Sequence, residues 1–75
     1  MRVLFFASIA EYTETNEIYL DHVNDTEELK VILKQKYPGI EGFSYAMAVN
    51  KTMLTQNQKL NDDDEVALLP PFSGG

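Results

Sequence analysis

Residues 3–7, Val3-Leu4-Phe5-Phe6-Ala7, make an unbroken apolar run, the pattern of a short strand buried on both faces. Residues 9–16 carry Thr, Glu and Asn and read as a connection. Residues 17–21 alternate instead, which puts Ile18 and Leu20 on an inner face and Glu17, Tyr19 and Asp21 outward. Two strands joined by that connection form a hairpin. Asp25 then suits a helix N-cap, and Glu28 three positions later supplies the acidic member of a capping box. Beyond it, Leu29, Ile32, Leu33 and Tyr37 share one helix face. Lys30, Lys34 and Lys36 lie off that stripe and toward the C-terminal end, where the helix dipole favours cations. Pro38-Gly39 stops the helix.

Residues 45–49 form the next predicted strand, with Met47 and Val49 inward, and Asn50-Lys51 the turn after it. A short edge segment follows at residues 52–55, and Leu60 is an isolated hydrophobe that ties a polar stretch to the core. Asn61-Asp62-Asp63-Asp64 reads as a turn, and residues 65–69 as the last strand. One helix can cover only one face of such a sheet. The expected class is therefore α+β, a mixed sheet of four to five strands with one main helix on one face. This is the element order of the β-grasp, or ubiquitin-like, fold, in which the first and last strands pair in the sheet centre through a right-handed crossover. Residues 1–69 make the domain and residues 70–75 an extended C-terminal tail.

Composition narrows the function. With 75 residues there is one small domain, which buries only about 60–65% of the surface its unfolded chain exposes. An apolar fraction of 44% places it among globular chains and away from disordered ones. Cysteine is absent, which excludes disulfides, thiolate metal sites and a nucleophilic thiol of its own. A net charge of −6 argues against nucleic acid, and it suits either a partner with a basic docking surface or plain solubility. The opening apolar run is too short for a secretory leader or a membrane span, so a cytoplasmic protein is expected. On that reading the triplets Asn24-Asp25-Thr26 and Asn50-Lys51-Thr52 are chance glycosylation matches. His22, the only histidine, has no partner motif and is read as a surface residue, with no metal expected.

The candidate chemistry sits at the C-terminus, Pro70-Pro71-Phe72-Ser73-Gly74-Gly75. Without a Cβ, glycine can enter a channel closed to other residues and take backbone angles that they cannot. Residues 70–75 reach roughly 20 Å if extended, at about 3.3–3.6 Å per residue. That is long enough to leave one protein and enter another. Pro70 and Pro71 fix φ near about −65° and bias the exit of the last strand toward an extended form.

The run Asp64-Glu65-Val66-Ala67-Leu68-Leu69-Pro70-Pro71-Phe72-Ser73-Gly74-Gly75 resembles the C-terminus of the small subunits of molybdopterin synthase, a family of ubiquitin-like sulfur carriers. Val3-Leu4-Phe5-Phe6-Ala7 is similar to that family's opening strand, and Val49-Asn50-Lys51 to the end of its third. Two departures are visible. Many members carry an Arg shortly after the first strand, where this chain reads Ser8-Ile9-Ala10-Glu11, and the helix here holds lysines and no arginine.

The resemblance implies a chemistry. Gly75 would be adenylated by a ubiquitin-activating-like enzyme using ATP and Mg²⁺, then converted to a thiocarboxylate. Its sulfur would go to a cyclic pyranopterin phosphate in the large subunit of molybdopterin synthase, which would hold the catalytic groups. The chain itself would bind no cofactor, would not be an enzyme on its own, and would form a heterotetramer with two copies flanking a dimeric large subunit. Gly74 would allow close backbone approach, and Leu69, Pro70, Pro71, Phe72 and Ser73 would contact the partner. For Phe72 the alternative is packing on its own domain. Phe5, Met47 and Leu69 are candidates for a docking patch on the outer sheet face, with core packing the alternative for each. The acidic run at residues 62–65 is either a solvated turn or a contact to a basic activating enzyme. Three other functions stay open: a sulfur carrier for thiamine thiazole synthesis, a ubiquitin-like modifier, and a non-reactive interaction module.

Overall fold

The computed structural model describes residues 1–70. Eight elements follow in order: β1 (Arg2–Phe5), α1 (Ala7–Thr13), β2 (Glu17–Tyr19), α2 (Thr26–Lys36), a 3-10 turn (Ile40–Phe43), β3 (Ala46–Val49), β4 (Thr52–Met53) and β5 (Glu65–Leu69). They build one five-stranded sheet in the order β2-β1-β5-β3-β4. β1 and β5 run parallel, with Val3 opposite Val66 and Phe5 opposite Leu68, while β3 flanks β5 antiparallel on its other side. The mixed α+β sheet expected from the pattern is present, with the first and last strands adjacent.

Alternation decides the rest. Val3 and Phe5, Met47 and Val49, and Val66 and Leu68 point inward and are buried, where Leu29 and Leu33 of α2 complete the core. Ile18 and the ring of Tyr37 close its margins, Tyr37 meeting Phe5 edge-on at 5.7 Å between centroids. Leu60 is buried as expected and anchors the long loop before β5.

The cap of α2 also forms, with one change. The Glu28 N–H donates to Asp25 Oδ1 at 2.8 Å, but the Glu28 carboxylate reaches back to the Asn24 N–H, one residue upstream of the usual capping-box donor. Asn57 joins the same end, its Oδ1 accepting from the Glu27 N–H and from the Thr26 hydroxyl. The Asp25 carboxyl is held below the ordinary carboxylate range, first by the Glu28 N–H and then by Asn57.

Two expectations are corrected. Residues 9–16 are not only a connection, since most of them belong to α1, whose Ile9 is fully buried. β1 is not buried on both faces, because its outward residues Arg2 and Leu4 face a side that no helix covers. The segment after Pro38-Gly39 winds into a 3-10 turn that buries Ile40. Here Tyr12 of α1 accepts a hydrogen bond from the Gly39 N–H at 2.7 Å and packs on Phe43. A Cβ on Gly39 would lie 2.6 Å from the Tyr12 hydroxyl, so any larger residue there would push the Tyr12 ring away.

Candidate functional site

β5 is the central strand, and the tail continues from its C-terminal end. The strand enters the sheet firmly held. Asn50 and Lys51 both have positive φ, 49° and 71°, the geometry of a tight two-residue hairpin between β3 and β4. In that turn the Asn50 N–H donates to the Glu65 carbonyl at 2.7 Å, and Asn50 Oδ1 accepts from the Glu65 N–H at 3.0 Å. Asn50 Nδ2 donates to Asp64 Oδ1, whose other oxygen accepts from the Asn61 N–H. Asparagine at this position thus tolerates the turn and also fixes where β5 begins.

The far end of β5 is open. Leu69 pairs with Ala46, and Pro70, lacking an N–H, cannot continue donating to the ladder. Both are half-buried. The remaining predicted tail residues, Pro71, Phe72, Ser73, Gly74 and Gly75, lie outside the described residues.

Around this exit the outward side chains form two apolar rows. Leu4, Ala67, Ala48 and Met53 are cross-strand neighbours, and Ala46 and Leu69 pair beside them. Phe6 follows directly after β1 on the same side of the exit and is 43% exposed. Met53 is 53% exposed. A third row, farthest from the exit, is charged. It comprises Tyr19, Arg2 and Glu65, with Glu17 beside Leu4. Arg2 Nε donates to Glu17 Oε2 at 2.7 Å and Arg2 Nη1 to Glu65 Oε2 at 3.1 Å. The Arg2 hydrogen bond is the first cause holding the Glu17 carboxyl below its usual range, with Tyr19 second.

Of the three hydrophobes named for a docking patch, only Leu69 faces outward. Phe5 and Met47 are core residues, placed inward by strand alternation beneath α2. The outward apolar residues missed from sequence are Leu4, Phe6, Ala46, Ala48, Met53 and Ala67. Their signal was available: when one helix covers a sheet, alternate positions of an apolar run must lie on the uncovered side. Elsewhere, His22 is exposed, with its backbone N–H donating to Asp62 Oδ1. Asp62 and Asp63 are exposed turn residues, whereas Asp64 and Glu65 are tied into the network above. Among the described residues no group of three or more His, Asp or Glu side chains is placed to hold a metal. No helix there is long and apolar enough to cross a membrane.

The comparisons with known proteins converge on one family. The ThiS family model matches residues 3–75. The molybdopterin synthase sulfur carrier subunit of Dictyostelium discoideum is 32% identical, covering 99% of this chain and 94% of that protein. Among solved structures, the complex of subunits 1 and 2 of molybdopterin-converting factor from Helicobacter pylori contains a chain that is 32% identical with a TM-score of 0.74, covering 99% of this chain and 96% of the other. The small archaeal modifier protein 1 of Methanosarcina acetivorans superposes with a TM-score of 0.83 over 99% of this chain and 94% of its own, at 23% identity, a likeness of fold alone. A sheet whose central strand ends beside an uncovered apolar face, matched along its whole length in this way, belongs to the ThiS family, in the company of the molybdopterin synthase sulfur carrier subunits.

Proposed function

We propose that this chain carries sulfur for molybdenum cofactor synthesis on the carboxyl group of Gly75, as the small subunit of a molybdopterin synthase. The observation that carries this reading is the end of β5. The central strand ends at the border of an apolar sheet face that no other described residue covers, so a partner seated on that face receives the tail directly. The names borne by the Dictyostelium discoideum and Helicobacter pylori relatives support it.

An α-carboxylate has an ordinary pKa of roughly 3.3–3.7, so Gly75 is ionised at neutral pH and a poor electrophile. Attack of that carboxylate on the α-phosphate of ATP, in the site of a separate Mg²⁺-dependent adenylyltransferase, releases pyrophosphate and leaves a mixed anhydride. A sulfur nucleophile then displaces AMP and leaves the thiocarboxylate. The large subunit supplies the acid–base groups and binds the cyclic pyranopterin phosphate. This chain supplies a tethered reagent, whose gain is the high effective concentration of a held reactant. Within the tail, Gly74 permits close approach, Pro70 and Pro71 stiffen the exit, and Phe72 and Ser73 line the partner's entrance. ATP and Mg²⁺ serve the activating enzyme, the chain holds neither, and the whole sequence runs in the cytoplasm.

Reconstitution tests this. Chain lacking Gly75, mixed with the large subunit, the activating enzyme, ATP and a sulfur source, should fold and bind normally but yield no dithiolene product. Product formation by that variant at the wild-type rate would refute the proposal.

A further inference from the structure

The uncovered face is not uniform, and its asymmetry specifies more than a docking area. Beside the apolar rows lies a hollow of about 330 Å³ whose lining combines apolar Leu4 and Phe6 with polar Asn16, Arg2 and Glu17. Apolar side chains and one carboxylate thus share the same lining. The Arg2 guanidinium is shared between Glu17 and Glu65, so the three groups together carry one net negative charge. A carboxylate offers about four lone-pair sites. Arg2 occupies two of those on Glu17, one at 2.7 Å and one at 3.5 Å. Covering this cluster with a neutral surface would strip water from an uncompensated charge, which is costly.

We propose that the partner seated on this face inserts one arginine or lysine side chain into the hollow, its aliphatic stem against Leu4 and Phe6 and its cationic head on the Glu17 carboxylate. The inference rests on the docking reading above and adds the chemistry of the partner's surface. A long basic side chain is the occupant that matches both parts of this lining, because its stem buries on apolar surface while its head keeps a polar contact.

The position also sets orientation. Glu17 lies opposite Leu4, two strands from β5 and two residues short of Leu69 along the sheet. At about 4.8 Å per strand and 3.3 Å per residue, the cation sits about 12 Å from the tail exit. One contact at that distance fixes which way round the partner lies, and so directs its channel mouth at Pro70.

The test measures affinity and association rate for the separately purified large subunit of the same organism at several salt concentrations. Glu17→Gln should weaken binding roughly tenfold at low salt and flatten the salt dependence. Asp63→Asn, which removes the same charge from an exposed turn residue, should change both by less than about twofold. Leu69→Asp should abolish binding whatever Glu17 does. Equal effects of Glu17→Gln and Asp63→Asn, or unchanged or tighter binding by Glu17→Gln, would overturn the inference while leaving docking intact. Wild-type binding by Leu69→Asp would overturn docking itself. Melting curves verify folding. Should Glu17→Gln fold poorly, Glu17→Asp keeps the charge but withdraws it from the hollow, and wild-type affinity in that variant counts against the proposal.

Discussion

The two faces of the sheet are made by the same strands and by neighbouring residues, yet they are built for different ends. On the inner face Val3, Val66 and Leu68 are wholly buried beneath α2. On the outer face Leu4, Ala67 and Leu69, each one residue away, stay partly exposed, with no described helix over them. Inner side chains are branched and space-filling, which suits close packing. Those at the centre of the outer face include Ala46, Ala48 and Ala67, which leave a flat surface that another protein can approach. Core side chains and the side chains proposed to meet the partner alternate along one strand. β5 carries both, and its last residue leads into the tail.

That division can be broken most forcefully by exchanging the roles of adjacent residues. Leu68→Ala removes a fully buried side chain from the centre of the core and should cost roughly 2–5 kcal/mol in denaturant unfolding. In a domain this small, that is a large share of its stability. Leu69→Asp, one residue on, should cost only about 1 kcal/mol while eliminating large-subunit binding. Comparable destabilisation by the two would erase the distinction between the faces. A smaller and pH-dependent effect sharpens the account from the helix side. Asp25→Ala should lower the melting temperature by a few degrees at neutral pH through loss of the cap on α2. Because folding lowers the Asp25 pKa, its contribution is complete above the ordinary carboxylate range and disappears as pH falls through the folded-state value. The gap between wild type and variant should therefore close on acidification below that range. None of this should alter docking at neutral pH, since the cap lies away from the outer face.

The legible parts of the chain were those governed by one strong local rule. β5 stands at residues 65–69 as the pattern placed it, and Asp25 caps α2 because few residues can do so. α1 was hidden because its seven residues bury only Ile9 fully, too little for a helical period to emerge. Its place is secured by Tyr12 reaching Gly39, a contact across 27 positions that no local window contains. Phe5 and Met47 stood as docking-patch candidates with core packing as the alternative, and the core alternative holds; a run of consecutive hydrophobes conceals its phase. Once Val3 is fixed inward by its neighbours, Phe5 must follow and Leu4 and Phe6 must turn out. The charged row eluded sequence reading for a similar reason, since Arg2, Glu17 and Glu65 meet only through strand pairing. The tail, in contrast, was read from its residues and their resemblance to a family, and all of it beyond Pro70 lies outside the described residues.

The central claim is that the terminal carboxylate becomes a sulfur reagent. Intact-mass and C-terminal peptide mass spectrometry of the chain, after co-expression with its activating enzyme, addresses it directly. The account predicts replacement of one oxygen by sulfur, localised to Gly75. Recovery of only the unmodified carboxylate, or of chains joined through Gly75 to lysines of other proteins, would contradict it.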